Sequence, residues 1–102
     1  MHAVRFPVTL NDGAVILSME VASRDLDKSG YIADVPSVRR VIAEYFESRT
    51  RKGMEFTASE TVYAAWTAAT EYLLDLDHEV SCIEVLYEPV SGTQYRYIPS
   101  ED

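Results

Sequence analysis

Two stretches of strict alternation flank a three-residue reversal near the start of the chain, and no other feature restricts the fold as much. Val4, Phe6, Val8 and Leu10 alternate with Arg5, Pro7 and Thr9; Asn11, Asp12 and Gly13 follow; then Val15, Leu17, Met19 and Val21 alternate in turn. A period of two puts every second side chain on one face of a strand. Asn-Asp-Gly supplies residues that tolerate the positive φ a tight reversal needs. The pattern predicts a β-hairpin with one apolar face. Pro7 has no N–H to give to a ladder, which assigns the first strand to a sheet edge.

After a polar connection from Ser23 to Pro36 the period changes. Val38, Val41, Ile42, Tyr45 and Phe46 fall at i, i+3, i+4, i+7 and i+8, one face of an α-helix. Asp34 or Ser37 can cap its start. Gly53, after Arg49, Arg51 and Lys52, marks its end, where cations suit the helix dipole. Thr57-Ala58-Ser59-Glu60 then reads as a capping box opening a second helix that runs to about Leu76. Its apolar stripe is Val62, Ala65, Trp66, Ala69, Leu73 and Leu76, with Trp66 expected to be largely buried. Beside that stripe Ala64, Thr67 and Ala68 are small where a solvated helix usually carries Glu, Lys or Arg. Small residues permit close approach, so this side is expected to meet the first helix or a second subunit.

The final segment returns to strand character. Val80 to Tyr87 is β-branched and aromatic, Glu88 to Gly92 forms a turn, and Thr93 to Ile98 completes a second hairpin. Alternation assigns Ile83, Val85 and Tyr87 to one face and Val80, Cys82, Glu84 and Leu86 to the other, so neither face is cleanly polar. Tyr95 and Tyr97 share a face, placed beside Leu86 and Val80 by the simplest pairing. The expected fold is a single α+β domain spanning residues 1–102 in ββααββ order. Both helices pack on one face of a four-stranded, mainly antiparallel sheet and leave the other face partly bare.

With 102 residues, 47% hydrophobic and 25% charged, the chain suits one ordinary globular core. The longest uncharged apolar stretch, Ala14 to Met19, falls far short of the roughly 20 residues needed to span a bilayer. The N-terminus lacks a signal-peptide pattern. Cys82, the single cysteine, cannot form an internal disulfide, so a cytoplasmic location is expected. The formal net charge of -8 comes from one half of the molecule. From Glu55 onward ten acidic residues stand against the single base Arg96, whereas residues 1–54 are balanced. A field of one sign draws cationic surfaces and repels polyanions. The charge therefore favours a protein partner with a basic surface and disfavours direct nucleic-acid binding through the second half.

Several local patterns suggest chemistry and then fall short of it. Asp25, Asp27, Ser29, Gly30 and Ile32 match the opening of an EF-hand calcium loop, but Pro36 occupies the position of the bidentate carboxylate, and a polar turn is the simpler reading. His78, between Asp77 and Glu79, has only His2 as a fellow imidazole, and no metal-ligand set follows. Cys82 on an apolar strand reads as a small buried hydrophobe. Arg39, Arg40, Arg49, Arg51 and Lys52 are diluted along the first helix by Glu44 and Glu47, at spacings that pair opposite charges, leaving the Arg49 to Lys52 end as the best cationic spot. Serine-nucleophile, phosphate-loop and dinucleotide motifs are absent. The expectation is a non-enzymatic protein with no cofactor and no metal.

The acidic half instead points to recognition. Glu71, Asp75, Asp77 and Glu79 crowd the negative end of the second helix, an arrangement that opposes the dipole and so breaks a local rule of stability. With Tyr95 and Tyr97, whose residue type is enriched at interfaces, they form the expected partner-binding set. In one form of this reading the protein is an inhibitor or immunity-type protein whose carboxylates occupy a basic nucleic-acid-binding surface. A self-assembling subunit, a homodimer or larger, is the competing class, and a small-ligand or calcium-binding domain is the third.

Overall fold

In the computed structural model the Asn-Asp-Gly reversal forms a short 3-10 turn, Asn11–Gly13, with Asn11 at φ 51° and Gly13 at φ 92°. It joins β1 (His2–Leu10) to β2 (Val15–Ser23). The structure describes residues 2–23, 34–75 and 80–99; the Asp25 to Ile32 loop, Leu76, Asp77, His78 and Glu79 lie outside that set. In the hairpin Val4 faces Val21, Phe6 faces Met19, Val8 faces Leu17 and Leu10 faces Val15. The alternation read from the sequence is thus one continuous apolar ladder, buried from Phe6 and Met19 to Leu10 and Val15.

Helix α1 (Val35–Arg51) begins where Asp34 caps it, accepting from the Ser37 N–H at 3.4 Å and the Ser37 hydroxyl at 2.7 Å. It ends in a Schellman turn: Gly53, at φ 82°, donates to the Thr50 carbonyl and Met54 to that of Arg49. Helix α2 (Ala58–Asp75) opens on the capping box. The Glu60 carboxylate accepts from the Thr57 N–H at 2.9 Å, and the Thr57 hydroxyl accepts from the Glu60 N–H at 3.2 Å. Both pairs spare backbone donors that the first helical turn would leave unpaired.

Strands β3 (Val80–Pro89) and β4 (Tyr95–Tyr97) complete an antiparallel sheet in the order β1-β2-β3-β4. Both helices cover the same face. Helix α1 packs over β1, α2 over β3 and β4, and the helices touch each other. Between the layers lies one core containing Phe6, Leu17, Met19, Ile42, Val62, Leu73 and Val85. As an edge strand, β1 exposes its outer rim, where the Arg39 guanidinium donates to the Pro7 carbonyl at 3.0 Å. Pro7 and that arginine together blunt the rim against pairing with a further strand.

The structure corrects the strand phase expected for β3. Glu20 pairs with Glu84, but the next residue, Val21, pairs with Cys82, leaving Ile83 as the extra residue of a β-bulge. Cys82 and Val85 therefore both face the helices, although three positions apart, and both are buried. Strict alternation would have put them on opposite faces. Tyr97 pairs with Val85 and Tyr95 with Tyr87, not with Val80 and Leu86, so both tyrosines lie on the helix-covered face.

The other sheet face is left uncovered, as expected, and it carries charge. Arg5 on β1 bridges Glu20 on β2 at 2.8 Å and Glu84 on β3 at 2.9 Å, and Arg96 on β4 approaches the same Glu84 at 3.7 Å. Ser18 donates to Glu88 at 2.9 Å. A charge ladder reaching all four strands makes this a solvated face with few apolar side chains, among them Ile16.

Candidate functional site: an acidic groove between the helices

Of the three small residues expected to meet α1 or a second subunit, Thr67 stays partly exposed and donates to the Tyr63 carbonyl of its own helix at 2.9 Å, and the two alanines are packed away. Ala64 and Ala68 are buried, and their lack of side-chain bulk lets the two helices approach. Just above this seam the surface opens into a groove of about 430 Å³, lined by Val41, Glu44 and Tyr45 of α1 and Ala68, Glu71 and Tyr72 of α2. Val41 and Ala68 form an apolar floor. Tyr45 and Tyr72 pack partly against the core and contribute aromatic walls. The exposed residues Glu44 and Glu71 supply a carboxylate from each helix.

Neither carboxylate is neutralised by a cation among the described residues, whereas most of the arginines are engaged elsewhere. Arg5 and Arg96 serve the sheet face. Arg51 pairs with Glu47 at 3.4 Å. Arg39 bonds Pro7 and lies 6.0 Å from the Phe6 ring centre. The guanidinium of Arg49 stands 3.5 Å from the Tyr45 ring centre and donates to the Tyr45 carbonyl at 3.3 Å. The basic end of α1 is thus folded onto its own helix, and Tyr45 already accepts a cation over its ring.

Of the residues expected at the site, Glu71 stands in this groove. Asp75, one helical turn further, ends α2, and Asp77 and Glu79 lie outside the described residues. Tyr95 and Tyr97 fall on the opposite flank of α2. There Tyr97 stacks on Tyr63 with centroids 5.8 Å apart and planes 10° apart, and meets Trp66 at 5.7 Å. The Trp66 indole N–H donates to the Cys82 carbonyl at 3.0 Å, so this ring is half-buried and pins α2 to β3. Tyr63, Leu74 and Tyr95 remain exposed on or beside this flank, and Ile98, just beyond β4, is exposed too.

Glu44, Tyr45 and Tyr72 are groove residues that the sequence did not mark. Glu44 read as one of the acids that dilute the basic residues of the first helix, and Tyr45 as core. Both Tyr45 and Tyr72 are partly buried against the core and also line the groove. The helical spacing that aligns Glu44 with Val41 and Tyr45 was the available signal, but only the packing of α2 could show what faced them.

Other chemistry is thin. Burial pushes the Cys82 thiol up to about 12, the opposite of what activates a nucleophile. Among the described residues no group of three or more His, Cys, Asp or Glu side chains could hold a metal ion, and no helix is long and apolar enough to cross a membrane. A second cleft of about 340 Å³ at the far end of the molecule, between Leu10, Val15, Phe46, Met54 and Phe56, contains the hydroxyls of Thr50 and Thr61 and the carboxylate of Glu55. Comparison with family models, with curated proteins and with solved structures gave no match.

Proposed function

We propose that this is a small acidic, non-enzymatic protein that works by binding a protein partner through a basic surface on that partner. The observation that carries the reading is the asymmetry of neutralisation. The arginines of the balanced half are largely spent on intramolecular partners, while Glu44 and Glu71 remain exposed and unpaired among the described residues. The excess of the second half, including the sequence neighbours Asp75, Asp77 and Glu79, adds to the same field. Such a surface accelerates encounter with a cationic partner and penalises an anionic one. An inhibitor or immunity-type role, with carboxylates standing where a partner's phosphates would bind, is the specific form this takes.

The test compares the wild type with the variant carrying Glu71→Gln, Asp75→Asn, Asp77→Asn and Glu79→Gln, each immobilised and exposed to extract of the source cells. The reading expects a captured protein with a basic contact surface, released by raised salt and lost with the variant. Capture that survives both salt and the variant refutes it. The exposed Tyr63, Leu74, Tyr95 and Ile98 favour self-assembly as a second reading. Sedimentation at micromolar concentration decides that one: a dimer dissociated by Tyr63→Ser supports it, and a monomer removes it.

A further inference from the structure

We infer that the groove between α1 and α2 is a receptor for one cationic side chain, a lysine or arginine of the partner, held between Tyr45 and Tyr72 with its charge shared by Glu44 and Glu71. This rests on the proposed basic partner and assigns the point at which that partner is gripped. The groove has the parts such recognition uses: an apolar floor for the methylene stem, two tyrosine rings, a group whose face attracts a cation, and carboxylates from two separate elements flanking it. The guanidinium of Arg49 already lies 3.5 Å from the Tyr45 ring centre, so the open partners for an incoming cation are Tyr72 and the two carboxylates. Glu44 and Glu71 form no ion pair among the described residues, so an incoming charge displaces none. Arginine suits the site better than lysine, because a planar guanidinium can stack on a ring while donating to a carboxylate.

The grip is distinct from the general field. A field acts on any cation and is weakened by removing any carboxylate. The groove requires two particular carboxylates and two particular rings, and it places the ligand's methylenes beside aromatic faces.

The probe is an octa-arginine peptide titrated into the labelled full chain at about 50 mM salt and followed by NMR. Binding at the groove expects upfield ring-current shifts of arginine methylene protons and resonance changes centred on Val41, Glu44, Ala68, Glu71 and Tyr72. Glu44→Gln with Glu71→Gln, both at exposed positions, should weaken binding about threefold to tenfold, the range for two surface charge contacts. Tyr72→Leu should weaken it by roughly two- to fivefold, the range for an exposed cation–π contact. The charge-matched control, Glu55→Gln with Glu88→Gln, the latter on the sheet face away from the helices, should change binding by less than twofold. If the peptide binds but the control weakens it as much as the groove pair does, and no ring-current shift appears, the groove proposal is overturned while the acidic-surface reading stands. If octa-arginine does not bind even at low salt, both fall.

Discussion

Arg5 is the residue on which the open sheet face turns, and replacing it with Met tests that directly. Glu20 and Glu84 are register partners on adjacent strands, a like-charge pair that would destabilise the β2–β3 interface if left alone. Arg5 reaches both, at 2.8 and 2.9 Å, and its charged form is favoured chiefly by the hydrogen bond to Glu84. Methionine keeps the stem and removes both bridges. Each exposed bridge contributes about 0.2–1 kcal/mol, and the released repulsion adds about as much as one bridge, for an expected loss of about 0.6–3 kcal/mol. Urea denaturation measures it. The sharper signature is the response to salt: raising salt from low to about 0.5 M should weaken the wild type slightly, by screening attraction, but strengthen the Arg5→Met variant, by screening repulsion. Adding Glu84→Gln to Arg5→Met should recover part of the loss. A variant within about 0.3 kcal/mol of wild type, with the same response to salt, would mean that the Arg5 bridges contribute nothing and that solvent and Arg96 suffice to offset the two carboxylates.

Deleting Ile83 removes the bulge yet leaves Cys82 and Val85 facing the core in regular register, so a folded protein with a modest loss of about 1–2 kcal/mol is expected by urea denaturation. Deleting Leu86 should destabilise far more, because even with the bulge lost to absorb the deletion Val85 turns outward and the Glu84 carboxylate takes its core position. The Thr70 hydroxyl is buried without a partner, so Thr70→Val should be neutral or stabilise by up to about 1 kcal/mol in the same assay. Hydrogen bonds from Ser37 hold the Asp34 carboxyl below its ordinary 3.8, and bonds from Thr57 hold the Glu60 carboxyl below its ordinary 4.5. A depressed folded pKa gives stability that is present above the unfolded value and lost as pH falls through the folded one. Asp34→Asn and Glu60→Gln should therefore flatten the fall in stability below about pH 4.5 and change its pH dependence near neutrality little, measured by thermal melts across pH.

The first hairpin and both helices were legible because each has a single period and ordinary punctuation. Asn11 and Gly13 adopt the positive φ that their side chains permit, and Thr57 with Glu60 closes the box that their spacing announces. The second hairpin was legible in existence but not in phase. From Glu84 to Tyr87 the alternation holds, and at Cys82 it inverts, because a bulge shifts a strand's parity without leaving a Gly or Pro at the inserted residue. Ile83 is an ordinary strand residue, so its unmatched place is set by the pairing with β2. The same shift explains why neither set of alternate positions looked polar: each set mixes residues from the two faces.

The candidate site was legible in sign more than in place. Charge is additive along a sequence, so the acidic excess beyond Glu55 could be read directly, and Glu71 belongs to it. Location depends on which flank of α2 a residue occupies and on what packs against that flank. Glu71 lies toward α1 and Tyr97 toward β4, so two features of one half of the chain are parted by the width of a helix. A partner gripping Glu71 therefore meets Glu44 and Tyr45, from the half whose charges balance, before it meets either tyrosine of the last strand. Within residues 1–54 the fold engages Arg5, Arg39, Arg49 and Arg51 with Glu20, Pro7, Tyr45 and Glu47 and leaves Glu44 outside the pairing. An acidic groove thus arises where the sequence shows a neutral segment beside a negative one.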